Sequence, residues 1–205
     1  MFSLIFPGQG SQTVGMGKEL YDKFPYIKEL FNSADDILGY SISKIIFDGP
    51  KEDLDLTENT QPAIFLASYS IYEMVKRESN LNLGSAKYFA GHSLGEYSAL
   101  TISDSLNFKS AIELLNARGK AMQSSVPKGT GGMVAVLGVE IKEINNLLEE
   151  NKDNYKCYIA NDNSNGQVVL SGLNLDIDKF IETLKTKKIK NIKLPVSAPF
   201  HCELM

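Results

Sequence analysis

The chain has 205 residues, 43% of them hydrophobic, enough to bury a core in one domain or in two closely joined ones. Its 21 Lys and Arg against 25 Asp and Glu leave a mild net charge of −4, which sets aside the sequence-independent attraction of basic proteins to nucleic acid. No apolar run approaches a bilayer span, two histidines rule out a multi-histidine metal site, and Cys157 and Cys202 have neither metal-like spacing nor a disulfide framework.

Residues 2–6 read as a short buried strand, and Met1-Phe-Ser-Leu-Ile-Phe6 lacks the basic start and long apolar middle of a signal peptide, so a cytoplasmic, reduced compartment is expected. Pro7-Gly8-Gln9-Gly10-Ser11-Gln12 stops the strand with a glycine-rich turn that exposes backbone amides. Thr13 stands where a dinucleotide fingerprint needs its third glycine, which makes that reading weak. Residues 16–38 alternate apolar and charged side chains at helical spacing around Pro25, predicting two helices broken there. After the turn Asp48-Gly49-Pro50, the stretch Asn59-Thr60-Gln61-Pro62 predicts the start of a helix running to about residue 76. Ala63, Ile64, Phe65, Ala67, Ile71 and Met74 make that helix apolar nearly all round, so it should pack deep. By itself Gln61 is no more than a polar residue at its mouth.

The stretch from Tyr88 to Leu100 carries the chemistry. A short apolar run enters Gly91-His92-Ser93-Leu94-Gly95, a G-x-S-x-G pattern, and then a helical pattern: the strand, sharp turn and helix of a nucleophile elbow. Gly91 and Gly95 remove side chains where strand and helix pass closely, so Ser93 can hold a strained backbone and point its hydroxyl outward. The Leu94 amide then opens the helix toward any negative charge that develops beside Ser93. The competing reading is structural, because Ser93-x-x-Glu96 is also a capping box. The preceding strand and His92 favour the catalytic one.

Residues 105–110 begin another helix, with Phe108, Ala111, Ile112, Leu115 and Met122 on one stripe. Arg118 falls at the border of that face. Its helical neighbours Leu114, Leu115, Ala121 and Met122 cannot pair its charge, so it either takes an anion from elsewhere or extends to solvent or a distant carboxylate. Pro127-Lys-Gly-Thr-Gly-Gly132 is the best candidate boundary. Beyond it, strands at 133–137, 157–159, 167–170 and 189–194 and helices at 141–148 and 174–187 follow the order β-α-β-β-α-β of a ferredoxin-like unit. Residues 161–166 read as the hairpin turn between its middle strands. Lys185, Lys187, Lys188, Lys190 and Lys193 fit a solvated edge better than a site for an acidic partner. His201, behind two prolines in a rigid loop, is mounted as a general base would be.

Phe6-Pro-Gly-Gln-Gly-Ser-Gln12, Thr60-Gln-Pro-Ala63, Gly91-His-Ser-Leu-Gly-Glu96, Arg118-Gly-Lys-Ala-Met122 and Pro199-Phe-His201 occur in the order and spacing of malonyl-CoA:acyl carrier protein transacylases. The chain resembles that acyltransferase family over essentially its whole length. The resemblance implies an α/β fold: an α/β-hydrolase-like larger subdomain, residues 1–127 and 197–205, with the ferredoxin-like small subdomain, residues 128–196, inserted into it. Members of the family continue well past the equivalent of His201, so the larger subdomain is expected to be incomplete at its C-terminal end. Ser93 would be the nucleophile that takes malonyl from coenzyme A, and His201 the base that accepts and returns its proton. Backbone amides of Gln9 and Leu94 would form the oxyanion hole, and Arg118 would bind the free carboxylate of malonyl. Gln61, His92, Met122 and Phe200 would line the acyl pocket, with Asn161 approaching from the small subdomain. The implied reaction is ping-pong transfer of malonyl from malonyl-CoA to holo acyl carrier protein in fatty acid biosynthesis. Neither metal nor resident cofactor is expected, nor a membrane or nucleic-acid partner. The alternatives are a serine esterase or thioesterase, which share G-x-S-x-G, or a non-catalytic form that only binds the carrier protein.

Overall fold

The computed structural model describes residues 1–127, 129–194, 196 and 198–205, and the chain divides into two units, residues 1–120 and 121–205. The subdomain boundaries expected at residues 128 and 197 lie outside the described residues, as does Pro195, one of the two prolines ahead of His201.

In the first unit β1 (Ser3–Phe6) is followed by α1 (Lys18–Lys23), α2 (Pro25–Leu38), α3 (Ile42–Asp48), α4 (Lys51–Leu54) and α5 (Thr57–Glu78). A 3-10 turn (Leu83–Ser85), β2 (Tyr88–Gly91), α6 (Gly95–Ile102) and α7 (Phe108–Ser124) complete it, the end of α7 beyond Lys120 falling in the second unit. The break at Pro25 is as expected, with the proline at the first position of α2, where its missing N–H costs no helical bond. Ile27, Phe31 and Ala34 of α2 are fully buried with Ala63, Phe65 and Leu66 of α5 and Ala111, Ile112 and Leu115 of α7. Each such large apolar side chain contributes about 1.5–3 kcal/mol relative to exposure, which holds the three helices together.

Two expectations for this unit need correction. β1 is not buried: it pairs in parallel with β2, from Ser3 opposite Tyr88 to Phe6 opposite Gly91, and only Phe6 is buried. The physical reason is the small sheet, two strands wide among the described residues, which leaves Ile5 78% exposed. The helix expected to start at residues 59–62 starts at Thr57, so Pro62 lies inside it and Gln61 is fully buried on it instead of sitting at its mouth. Its packing is also one-sided toward the end, with Ile71 exposed.

The second unit contains β3 (Gly131–Leu137), α8 (Ile141–Glu150), β4 (Cys157–Ser164), β5 (Gln167–Leu173), α9 (Asn174–Thr186) and β6 (Lys190–Lys193). The sheet order is β4-β5-β3-β6, and every neighbouring pair is antiparallel. Alternation along β3 divides the side chains between two faces. Val134 and Val136 join Ile144, Leu147, Ile177 and Phe180 of the two helices, whereas Met133 and Ala135 join Val169, Ala198 and Phe200. Residues 161–166 are not a loop: β4 runs on to Ser164, and the turn proper is Asn165–Gly166, with Gly166 at φ 81°. β4 lies at the sheet edge, where polar side chains reach water without breaking the ladder. Gly131 and Gly132 of the expected linker also belong to the sheet. A Cβ on Gly131 would lie 2.1 Å from Pro199 Cδ, which is why the strand begins on residues without side chains. Of the crowded lysines, Lys185 pairs with Glu182 and Lys193 with Asp178 on the exposed surface, in keeping with a solvated edge.

Among the described residues no helix is long and apolar enough to cross a membrane, and no cluster of His, Cys, Asp and Glu could hold a metal ion.

Candidate active site

Ser93 stands at the sharp turn between β2 and α6 with φ 53°, a left-handed backbone that a serine adopts only when its surroundings impose it. Those surroundings are close backbone contacts. A Cβ on Gly91 would lie 1.9 Å from the Gly95 carbonyl carbon, and one on Gly95 would lie 2.5 Å from Phe6 O. Only glycine fits at either position, so the spacing G-x-S-x-G follows from steric exclusion. The turn is fastened by His92 N donating to Phe6 O at 3.0 Å and by Gly95 N donating to His92 O at 3.0 Å. α6 begins at Gly95 with Leu94 as its cap residue, so Ser93 stands one residue ahead of the cap position that a capping box assigns to its serine.

The glycine-rich loop after β1 lies against this turn. A Cβ on Gly8 would come within 2.6 Å of His92 Nδ1, so Gly8 lets Gln9 approach the elbow. Gln9 is steadied by its Nε2, which donates to Thr57 Oγ1 at 3.4 Å. Among the described residues neither the Gln9 nor the Leu94 amide has a backbone acceptor, and Leu94 N opens α6, where the helix dipole favours negative charge.

Arg118 completes the arrangement. From α7 its Nη1 donates to Gln61 Oε1 at 2.7 Å and its Nη2 to Ser93 Oγ at 3.1 Å. Its Cζ lies 6.0 Å from the centre of the Tyr97 ring, at the limit of a cation–π contact. Burial lowers the guanidinium pKa, opposed by the Tyr97 phenol and the Glu96 carboxylate. Among the described residues no carboxylate lies within 4.0 Å of it. A half-buried cation held beside a hydroxyl by neutral partners is a ready site for an anionic group on whatever that hydroxyl attacks.

Ser93, Leu94, His92, Gln9, Gln61 and Arg118 thus all belong to the first unit. His201, Met122, Asn161 and Phe200 belong to the second. Phe200 is buried with Met133, Ala135 and Val169, and Met122 packs on the same cluster. Asn161 pairs with Val169 after a bulge in β4, and His201 is exposed, with φ 59°. Thr57 and Tyr97 are site residues that the sequence reading missed. Tyr97 stands four residues after Ser93, in the first turn of α6, a proximity in sequence that could have revealed it.

A family model for the acyl transferase domain matches residues 3–205, and the chain belongs to that family. The malonyl CoA-acyl carrier protein transacylase of Haemophilus influenzae is 41% identical over 205 residues, covering 100% of this chain and 65% of the relative. Among solved structures, the acyl-carrier-protein S-malonyltransferase of Bartonella henselae superposes with a TM-score of 0.93 at 40% identity, over 100% of this chain and 66% of that one. A type II PKS acyl-carrier protein in complex with its malonyl-transacylase gives a TM-score of 0.92 at 38% identity for the enzyme, over 100% and 65%. The mixed α/β fold is shared with these enzymes, and the chain spans just under two thirds of their length.

Proposed function

We propose that the protein transfers malonyl from coenzyme A to the phosphopantetheine thiol of acyl carrier protein, through a malonyl ester on Ser93, in fatty acid biosynthesis. The observation that carries this reading is the Arg118 guanidinium, half buried and 3.1 Å from Ser93 Oγ, with no carboxylate beside it among the described residues. Malonyl-CoA supplies the complementary group, a free carboxylate two carbons from the thioester carbonyl that a nucleophile attacks.

In the proposed first half-reaction, Ser93 Oγ attacks the thioester carbonyl while His201 takes its proton. The amides of Gln9 and Leu94 receive the developing oxyanion. Collapse breaks the carbon–sulfur bond, and His201 returns the proton to the departing coenzyme A thiolate. In the second half-reaction the carrier thiol gives its proton to His201 and attacks the ester, and the proton goes back to Ser93 Oγ. Arg118 holds the malonyl carboxylate throughout, with Gln61, His92, Met122, Phe200 and Asn161 lining the acyl pocket. The left-handed backbone of Ser93, imposed by the glycines on either side, is in keeping with a nucleophile held at an elbow. The steps use only groups of the chain and of its two substrates, so the proposal includes no resident cofactor.

We read the second unit's sheet, with its order β4-β5-β3-β6 and two helices on one face, as the ferredoxin-like small subdomain. The elbow-bearing unit is then part of the α/β-hydrolase-like larger subdomain, to which residues 197–205 are assigned with 1–127. The cytoplasm follows as the compartment from the proposed substrates.

The test is partition of the acyl group. Given malonyl-CoA with and without holo acyl carrier protein, the full chain should deliver malonyl to the carrier thiol much faster than to water. Fast hydrolysis indifferent to the carrier would make it an esterase, and carrier binding without turnover would make it a non-catalytic partner.

A further inference from the structure

Pro62 lies inside α5. Proline has no N–H, so the carbonyl four residues earlier, that of Glu58, loses its intrahelical donor. The carbonyl is nevertheless satisfied, from another helix. Asn116 Nδ2 on α7 donates to Glu58 O at 3.1 Å and also to Tyr40 Oη at 3.1 Å. Tyr40 in turn donates to Asn59 Oδ1 at 3.0 Å, and Asn59 Nδ2 donates to Asp53 O at 2.9 Å. Asn59 and Asn116 are only 7% and 8% exposed, so water cannot readily replace a lost partner.

The network sits beside a close approach of the two helices. Three residues after Asn116, a Cβ on Gly119 would lie 2.6 Å from both Glu58 Cα and Thr57 O, so α7 rests on the α5 backbone there. Hydrogen bonds with fixed directions on one side and backbone contact on the other determine both the rotation and the advance of α7 on α5. Two residues beyond Asn59 and Asn116 stand Gln61 and Arg118, themselves joined at 2.7 Å.

We infer that Tyr40, Asn59 and Asn116, hooked on the carbonyl that Pro62 frees, are positioning residues that set the register of α7 on α5 and so aim the Arg118 guanidinium at Ser93. The inference rests on the reading of Arg118 as the carboxylate-binding residue. Burial, ahead of the charges on Glu58 and Asp35, pushes the Tyr40 phenol up to about 12, which keeps it protonated and able to donate to Asn59.

The test uses the full chain carrying Tyr40→Phe or Asn116→Leu, with Ser93 acylation measured from malonyl-CoA and from acetyl-CoA. Both variants should lose about tenfold with malonyl-CoA and less than about twofold with acetyl-CoA, because a small misplacement of a substrate-binding group is enough for such losses. Phe180→Leu, in the core of the second unit, controls for destabilisation and should keep the malonyl-to-acetyl ratio. Folded Tyr40→Phe and Asn116→Leu variants with an unchanged ratio would reduce the network to a structural role and overturn the inference. A crystal structure of Tyr40→Phe tests the clamp apart from the role of Arg118. Displacement of the guanidinium from Gln61 Oε1 and Ser93 Oγ supports the clamp even if Arg118→Ala shows that this arginine does not select malonyl. A guanidinium in its original place overturns the clamp whatever Arg118 binds.

Discussion

Arg118 Nη2 lies 3.1 Å from Ser93 Oγ, a contact between residues 25 apart in sequence that puts a fixed positive charge beside the serine hydroxyl. Arg118→Ala should therefore cost malonyl transfer far more than acetyl transfer. Charge-assisted bonds to a carboxylate account for about 2–4 kcal/mol, so kcat/KM for malonyl-CoA should fall roughly a hundredfold or more while that for acetyl-CoA changes little. Arg118→Lys should recover only part of the loss, because an ammonium lacks the planar fork. An unaltered preference for malonyl-CoA in Arg118→Ala would remove the assignment.

The left-handed backbone of Ser93 implies a conflict between stability and activity at one residue. Alanine keeps a Cβ at φ 53°, whereas glycine adopts this conformation freely. Both Ser93→Ala and Ser93→Gly should be inactive, but the glycine variant should be more stable than the alanine variant by about 1 kcal/mol. Urea midpoints compare them directly, and an alanine variant as stable as the glycine one would show that the elbow holds no strain.

Gly91→Ala addresses the same turn from the strand side. Its new Cβ would meet the Gly95 carbonyl carbon at 1.9 Å, a backbone atom that cannot rotate away. The elbow must open, at a cost of about 3 kcal/mol or more, and acylation of Ser93 should be lost with it. Wild-type stability by urea unfolding would mean that strand and helix are not held this closely.

Much of this site could be read in the sequence, and what was hidden has a common cause. The elbow was legible because G-x-S-x-G is a five-residue pattern set between a strand and a helix, although the contact that demands Gly95 comes from Phe6, far away in sequence. Arg118 stood out because no neighbour on its own helix could pair with it. The true start of α5 was not legible. Pro62 looked like a first-turn proline, but the carbonyl it orphans is satisfied by Asn116, 58 residues from Glu58, and no local pattern displays that partner. β4 was cut short for a related reason: Asn161-Asp-Asn-Ser164 has the composition of a turn, yet β5 supplies its ladder from Val168 and Val169. The exposure of β1 depends on the width of its sheet, which four residues of strand do not reveal.

Tyr40 gives the account a pH signature. Its folded pKa, pushed up to about 12 by burial first and then by Glu58 and Asp35, exceeds the ordinary value of 10.0. Its contribution to stability is therefore complete below the unfolded pKa and is lost as pH rises from there through the folded one. Between those limits the wild-type chain should lose stability with pH more steeply than Tyr40→Phe. Tyr26, Tyr69 and Tyr155 are also raised, but they remain in both proteins and leave the difference to Tyr40. Equal slopes in paired urea titrations would place the phenol in water.

The most direct measurement is the intact mass of the full chain after brief exposure to malonyl-CoA, followed by peptide mapping. The account predicts one malonyl group, on Ser93, that is discharged when holo acyl carrier protein is added and never forms in Ser93→Ala. No adduct, or one that persists in Ser93→Ala, would contradict it.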